Sequence, residues 1–240
     1  MSSFGEFPYP SGVHIAGIQR TSTIDFPGVL ACVLFTRGCD MDCFFCHNRA
    51  LIGPGDTLPD AEVESFLRKR QGLLDGVVVS GGEPLLQPGV TDLLRFLKGL
   101  GYRVKLDTNG LRPDLLRQFV QDGLLDYAAI DWKAPPDVHQ SVCGAGLSAR
   151  ERTLESILLL LESGLPCEAR TTLYPGLTAE ELLSLAAELP PLPRYRLNFF
   201  RMPEQFRPQD EERLNLHALA PGEIRAIETQ LRIVQPNLIF

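Results

Sequence analysis

The sequence predicts an α/β fold, a partial TIM-like (β/α)6 barrel preceded by an N-terminal hairpin. Three observations carry this expectation. Six short apolar runs alternate with amphipathic stretches of helical period, which implies parallel strands joined by crossover helices. Polar motifs stand at the C-terminal end of every run, where a barrel gathers its functional groups, whereas an open doubly wound sheet concentrates them at one switch point. No internal repeat, low-complexity segment or linker divides the chain.

The elements follow in order. The segment from His14 to Gly28 turns at Asp25-Phe26-Pro27-Gly28 and reads as a hairpin or cap that covers an end of the barrel. Strands are expected at Leu30 to Thr36, Gly76 to Ser80, Arg103 to Asp107, Tyr127 to Asp131, Cys167 to Thr172 and Tyr195 to Phe199, each short and mostly apolar as buried parallel strands are. Helices are expected at Asp60 to Gln71, Val90 to Leu100, Pro113 to Asp122, Ala149 to Ser163, Ala179 to Leu189 and Pro221 to about Ile233. Ser148 with Glu151, and Thr178 before Glu180 and Glu181, read as N-terminal caps. Pro221 suits a first turn, and Gly101 and Gly164 fall just past helix ends. The run Arg68-Lys69-Arg70 is the solvated end of a helix, where cations complement the dipole. The proline-rich stretch from Leu189 to Pro193 is a loop between elements.

Composition narrows the function classes. The 240 residues fit one α/β domain or two small ones, and a hydrophobic content of 44% is ordinary for a chain with a good core. The net charge of -7 argues against a nucleic-acid surface. No apolar run approaches a membrane span. The opening residues MSSFGEFPYPSG lack the basic start and apolar core of a secretion signal. The expected location is therefore the cytoplasm, where cysteines stay reduced and available to metal.

The glycine-led loop Gly38-Cys39-Asp40-Met41-Asp42-Cys43-Phe44-Phe45-Cys46 spaces three cysteines by three residues and then two. Three thiolates in that pattern can hold three irons of a cubane and leave the fourth iron without a protein ligand. Electron carriers ligate each cubane with four cysteines, and structural zinc sites are closed by four ligands. His47 follows Cys46 directly, so a zinc knuckle is the competing reading, although structural zinc usually pairs two short clusters far apart in sequence. A disulfide framework does not suit a chain of this length and cysteine scatter. Cys32 lies in an apolar run and reads as a packed core thiol, and Cys143 and Cys167 read as incidental. Met41, Phe44 and Phe45 could shield a cluster from solvent or simply anchor the loop.

The remaining motifs sit on strand ends. In Ser80-Gly81-Gly82-Glu83-Pro84 the glycines allow close backbone approach and Glu83 would suit a ligand ammonium; a tight turn with a helix-capping acid is the alternative. Asp107-Thr108-Asn109-Gly110 is good turn chemistry in its own right. Asp131 closes an apolar strand, where a charge needs a partner, and Lys133 follows two residues on. Arg170 could grip a carboxylate with two parallel hydrogen bonds or bridge the barrel mouth. Asn198 stands near the end of the sixth strand.

The cysteine spacing resembles the signature of radical S-adenosylmethionine (SAM) enzymes. The stretch GIQRTSTIDFPGVLACVLFTRGCDMDCFFCHN, and the strings LLDGVVVSGGEPLLQ, VKLDTNG, IDWKAPP and EARTTLYPG, resemble the activating proteins of anaerobic ribonucleoside-triphosphate reductases over about residues 14 to 200. The resemblance implies a single domain over residues 1–240 with a C-terminal extension from 201 to 240. It implies one [4Fe-4S] cluster on Cys39, Cys43 and Cys46, because Leu51 to Thr57 leaves no room for a second cysteine-rich insert. It implies SAM held by Gly81, Gly82, Glu83, Asp107, Thr108, Asp131, Lys133, Arg170 and Asn198, with a monovalent cation near Asp107, Thr108 and Asp131. It also implies a reductant such as flavodoxin or ferredoxin. The protein substrate implied is a glycyl radical enzyme, with no nucleic-acid or membrane partner. An activase of the pyruvate formate-lyase type, a small-molecule enzyme such as a deazapurine synthase, and a zinc or iron-sulfur scaffold module are the competing functions.

Overall fold

A computed structural model describes residues 8–240. The described residues divide into two compact units, 8–40, 51–108 and 114–128 in the first, and 41–50, 109–113 and 129–240 in the second.

In the first unit β1 (Ile15–Ser22), β2 (Ala31–Thr36), β3 (Gly76–Gly81) and β4 (Arg103–Thr108) neighbour one another in chain order. β1 runs antiparallel to β2. The hairpin is therefore present, and it adds an edge strand to the sheet rather than covering an end of it. β2, β3 and β4 are parallel. Val77, Val78 and Val79 are all fully buried, as in a strand covered on both faces. Phe26, Val29, Ala31, Val33, Val78 and Tyr127 form one apolar cluster here.

The helices of this unit are α1 (Asp60–Arg70), α2 (Val90–Gly99) and α3 (Pro113–Gln121). Val90, Leu93, Leu94, Phe96 and Leu97 bury one face of α2 at helical spacing. Arg68, Lys69 and Arg70 do end α1. Arg68 pairs with Glu64 one turn back and lies over the Phe96 ring.

The strand β5 (Tyr127–Asp131) passes from the first unit to the second at Ala128–Ala129. The second unit also holds β6 (Cys167–Leu173), β7 (Tyr195–Phe199) and β8 (Leu238–Ile239), with β6, β7 and β8 parallel. Its helices are α4 (His139–Cys143), α5 (Leu147–Ser163), α6 (Ala179–Ala187), α7 (Glu211–Leu214) and α8 (Pro221–Val234).

Thr178 and Glu181 form the expected reciprocal cap of α6. The expected Ser148 cap is not formed. α4, which the sequence did not reveal, ends at the left-handed Gly144 and leaves only Ala145 and Gly146 before the next helix. α5 therefore begins at Leu147, and Ser148 falls inside its first turn.

The C-terminal extension is anchored by one buried amide. Gln235 donates to the carbonyls of Ala186 and Leu189 and accepts from the Leu192 amide, so α8 is tied to the proline-rich loop. Among the described residues no helix is long and apolar enough to cross a membrane.

Candidate active site

In the first unit the start of the cysteine loop and the double-glycine turn are built against each other. The register pairs Thr36 with Gly81, so β2 and β3 end side by side. Gly82 N–H donates to the Thr36 carbonyl at 2.9 Å, and Glu83 N–H donates to the Gly38 carbonyl at 2.7 Å. Gly81 has a φ of +124°, and a Cβ there would lie 2.2 Å from the Thr36 nitrogen. A Cβ on Gly82 would lie 2.1 Å from the Gly38 oxygen. Both glycines are thus required by the backbone approach itself. Cys39, half-buried, follows Gly38 directly.

Glu83 is 1% exposed. Its Oε1 accepts from the Leu85 amide at 3.0 Å and from the Thr108 hydroxyl at 2.6 Å. The capping role that the sequence offered as an alternative is therefore real, and Thr108 is joined to the same carboxylate. A carboxylate offers about four acceptor positions, so capping leaves room for an ammonium donor as well. Asp107 is held by Lys105, whose Nζ lies 2.5 Å from Oδ1. Lys105 is 1% exposed and was not singled out from the sequence.

The second unit holds the rest of the loop. Cys43 is buried and Cys46 half-buried, both as free thiols. Met41 is buried, and Phe44, Phe45 and Tyr174 enclose the loop: Phe45 stacks on Tyr174 at 5.1 Å, and Phe44 meets both rings edge-on. These contacts anchor the loop. Charged groups secure the outside. Asp42 is paired with Arg49 and Arg207, Arg49 donates to the Cys43 carbonyl, and Arg207 also binds Asp210. Arg213 lies 4.0 Å from the centre of the Phe44 ring and donates to the Ser141 carbonyl. The C-terminal extension thereby grips the cysteine loop.

Cys143, read from the sequence as incidental, is part of this structure. Asp42 N–H donates to the Cys143 carbonyl and Phe44 N–H to the Val142 carbonyl, and the Cys43 and Cys143 thiols are hydrogen-bonded. That bond, with burial, pushes the Cys43 thiol well up. Burial and the neighbouring Cys43 push Cys46 up, against the pull of Lys133. A coordinated metal deprotonates such thiols outright. Cys32 and Cys167 are core thiols, which burial pushes up to about 12 and about 11.

On β5, Lys133 Nζ lies 2.9 Å from Asp131 Oδ2 and Arg170 Nε lies 3.2 Å from Oδ1. Burial disfavours ionisation of Asp131, but these two cations outweigh it and hold the carboxyl below its ordinary value. Burial likewise opposes the Lys133 charge, and Asp131 with the nearby thiols raises its pKa well above the usual value. The Thr171 hydroxyl donates to the Trp132 carbonyl and accepts from the Tyr195 hydroxyl, fixing the strand that carries Arg170. Asn198 is half-buried on β7 opposite Thr172. Asn109 and Gly110 serve the turn: Asn109 Oδ1 accepts from the Leu111 amide, while Thr153 and Ser156 of α5 donate to their carbonyls.

The donor set suits an iron-sulfur cubane. Cys39, Cys43 and Cys46 are unbridged, the loop carrying the last two is walled by aromatic rings, and the Lys133 ammonium favours negative charge at Cys43 and Cys46. Among the described residues no three His, Cys, Asp or Glu side chains are gathered for a single metal ion. A cubane does not require that, since each thiolate takes a separate iron.

Comparisons with known proteins agree. Residues 33–189 match the radical SAM superfamily. A Methanocaldococcus jannaschii protein named as a glycyl-radical enzyme activating enzyme is 34% identical over 172 residues, covering 70% of this chain and 71% of its own. The pyruvate formate-lyase 1-activating enzyme of Escherichia coli is 33% identical over 175 residues, 68% of each chain. Among solved structures, Streptococcus suis SuiB bound to S-adenosylmethionine superposes with a TM-score of 0.63 at 16% identity, covering 85% of this chain and 47% of that one. That likeness shows the α/β fold with parallel strands, a partial TIM-like barrel. The cysteine loop, the double-glycine turn and the match over most of the chain place it in the radical SAM superfamily, as an enzyme whose family employs a [4Fe-4S] cluster and SAM.

Proposed function

We propose that this enzyme is an activase that generates a glycyl radical on a partner protein, and that the partner is an anaerobic ribonucleotide reductase. The observation that carries the activase reading is that two relatives matched over about two thirds of the chain or more are both named as activating enzymes of this type. The reductase is favoured by the run of matching strings from Gly17 to Asn48 and onward to EARTTLYPG. The resemblance of 33% to a pyruvate formate-lyase activating enzyme supports a lyase as the second reading.

Bound together and given one electron, cluster and SAM would supply a 5′-deoxyadenosyl radical, with methionine as the other product of the broken C–S bond, and that radical could remove hydrogen from a backbone glycine. The chain's own residues hold and orient. Cys39, Cys43 and Cys46 would hold the cluster. Gly81 and Gly82 bring backbone against the loop, and Glu83, already fixed by Thr108 and Leu85, receives the SAM ammonium. Lys133 and Arg170, preset by Asp131, face the SAM carboxylate or ribose. Asp107 and Asn198 complete the SAM contacts. Phe44, Phe45 and Tyr174 exclude water beside the cluster. One catalytic domain spans residues 1–240, works in the cytoplasm and takes its electron from flavodoxin or ferredoxin.

The test is to mix reduced protein, SAM and each candidate partner without oxygen and record the electron paramagnetic resonance spectrum. A glycyl doublet on the reductase that vanishes with Cys43→Ala is expected. A doublet only on a formate-lyase-type enzyme would select the second reading. Consumption of a small molecule with SAM, and no protein radical, would end both.

A further inference from the structure

We propose that Lys105 supplies from within β4 the positive charge that the family resemblance assigns to a monovalent cation, acting as a positioning residue for Asp107. The proposal rests on the SAM-site reading above and deepens it.

Lysine is almost never fully buried unless it is paired. Lys105 is 1% exposed, and its ammonium lies 2.5 Å from Asp107 Oδ1. Asp107 is itself only 11% exposed. The two residues are separated by one position on a strand, so their side chains leave the same face. The Tyr127 ring lies 5.8 Å from the Lys105 nitrogen, and its π face adds to the setting of that charge. The carboxylate charge of Asp107 is thus met by a tethered cation, and an added metal ion would meet the ammonium's like charge.

Asp131 leads independently to the same conclusion. Its two oxygens accept from Lys133 and Arg170, two cations for one carboxylate. At neither acid is a further sodium or potassium ion needed to balance the carboxylate charge. An ammonium held by its own strand does the neutralising work without depending on the ionic composition of the cell. Lys105 therefore keeps Asp107 aimed, and SAM binding becomes indifferent to which monovalent cation is present.

The experiment measures SAM affinity of the cluster-loaded enzyme by equilibrium dialysis, with choline, sodium or potassium as the only added monovalent cation. The wild type is expected to bind SAM with affinities within about twofold of one another in all three. Lys105→Met is expected to bind roughly tenfold more weakly in choline, with the loss of one charge-assisted contact, and to recover in potassium or sodium. A wild-type affinity that falls tenfold in choline overturns the proposal, and this result needs no variant to fold. Lys105→Met that binds as tightly as wild type in choline overturns it too. Absence of SAM binding by the wild type in every buffer is a different outcome: it removes the SAM-site reading, and the proposal with it.

Discussion

Gly82 is the position where a single methyl group tests the site most severely. A Cβ there would lie 2.1 Å from the Gly38 carbonyl oxygen and 2.7 Å from its carbon. Both are backbone atoms at the entrance to the cysteine loop, so no side chain can turn aside. Ordinary contact begins at 3.4 Å, and relief requires more than an ångström of main-chain movement. That movement breaks the 2.7 Å bond from Glu83 N–H to the same carbonyl, costing about 1 kcal/mol. Overpacking adds about 1–3 kcal/mol. The total of roughly 2–4 kcal/mol corresponds to about 30- to 1,000-fold in an equilibrium constant. Gly82→Ala should therefore lower the melting temperature, bind SAM far more weakly and retain less iron and sulfide after anaerobic reconstitution. Gly53→Ala is the control, since nothing lies within 4 Å of its Cβ position. If Gly82→Ala keeps the wild-type iron content and SAM affinity, the close packing of the two loops is not what makes this glycine necessary.

Three further outcomes are expected. Cys143→Ala should hold as much iron as the wild type, because three ligands remain; loss of iron would make Cys143 a ligand. Arg207→Ala should release iron to a chelator faster and lose stability, since its pair with Asp42 is partly exposed but its loss also leaves the buried Asp210 carboxylate without that cation; unchanged release would show that the extension does not grip the loop. Asp131 has its folded pKa depressed by Lys133 and Arg170, so its stabilisation is full above the unfolded value of about 3.9 and is lost as pH falls through the folded value. Asp131→Asn should flatten that acid limb, and identical acid profiles for the two proteins would contradict the pairing.

What the sequence revealed was what is encoded locally. The strands β2 to β7 were legible because each is a short β-branched or apolar run bounded by turn residues, and the Thr178 cap because its partner Glu181 lies three residues away. The cysteine triplet was legible by spacing alone. α4 was missed because five residues between Pro-rich and Gly-rich stretches carry no periodicity, and that omission displaced the start of α5. Cys143 and Arg207 reach Asp42 and Cys43 only through tertiary folding, and nothing near them in sequence points there. Lys105 was different: a lysine two residues before Asp107 on an apolar strand shares its face, and that period-two pairing was the available signal. Glu83 was legible as a polar group at a strand end, but not as the acceptor of both Thr108 and Leu85.

The central claim is that three cysteines hold a cluster that cleaves SAM reductively. The most direct measurement is 5′-deoxyadenosine formed by the anaerobically reconstituted, reduced protein in the presence of SAM. The wild type should release 5′-deoxyadenosine and methionine in equal amounts, and Cys39→Ala, Cys43→Ala and Cys46→Ala should release neither. A wild-type protein that carries its full complement of iron, is reduced, and leaves SAM intact would contradict the account.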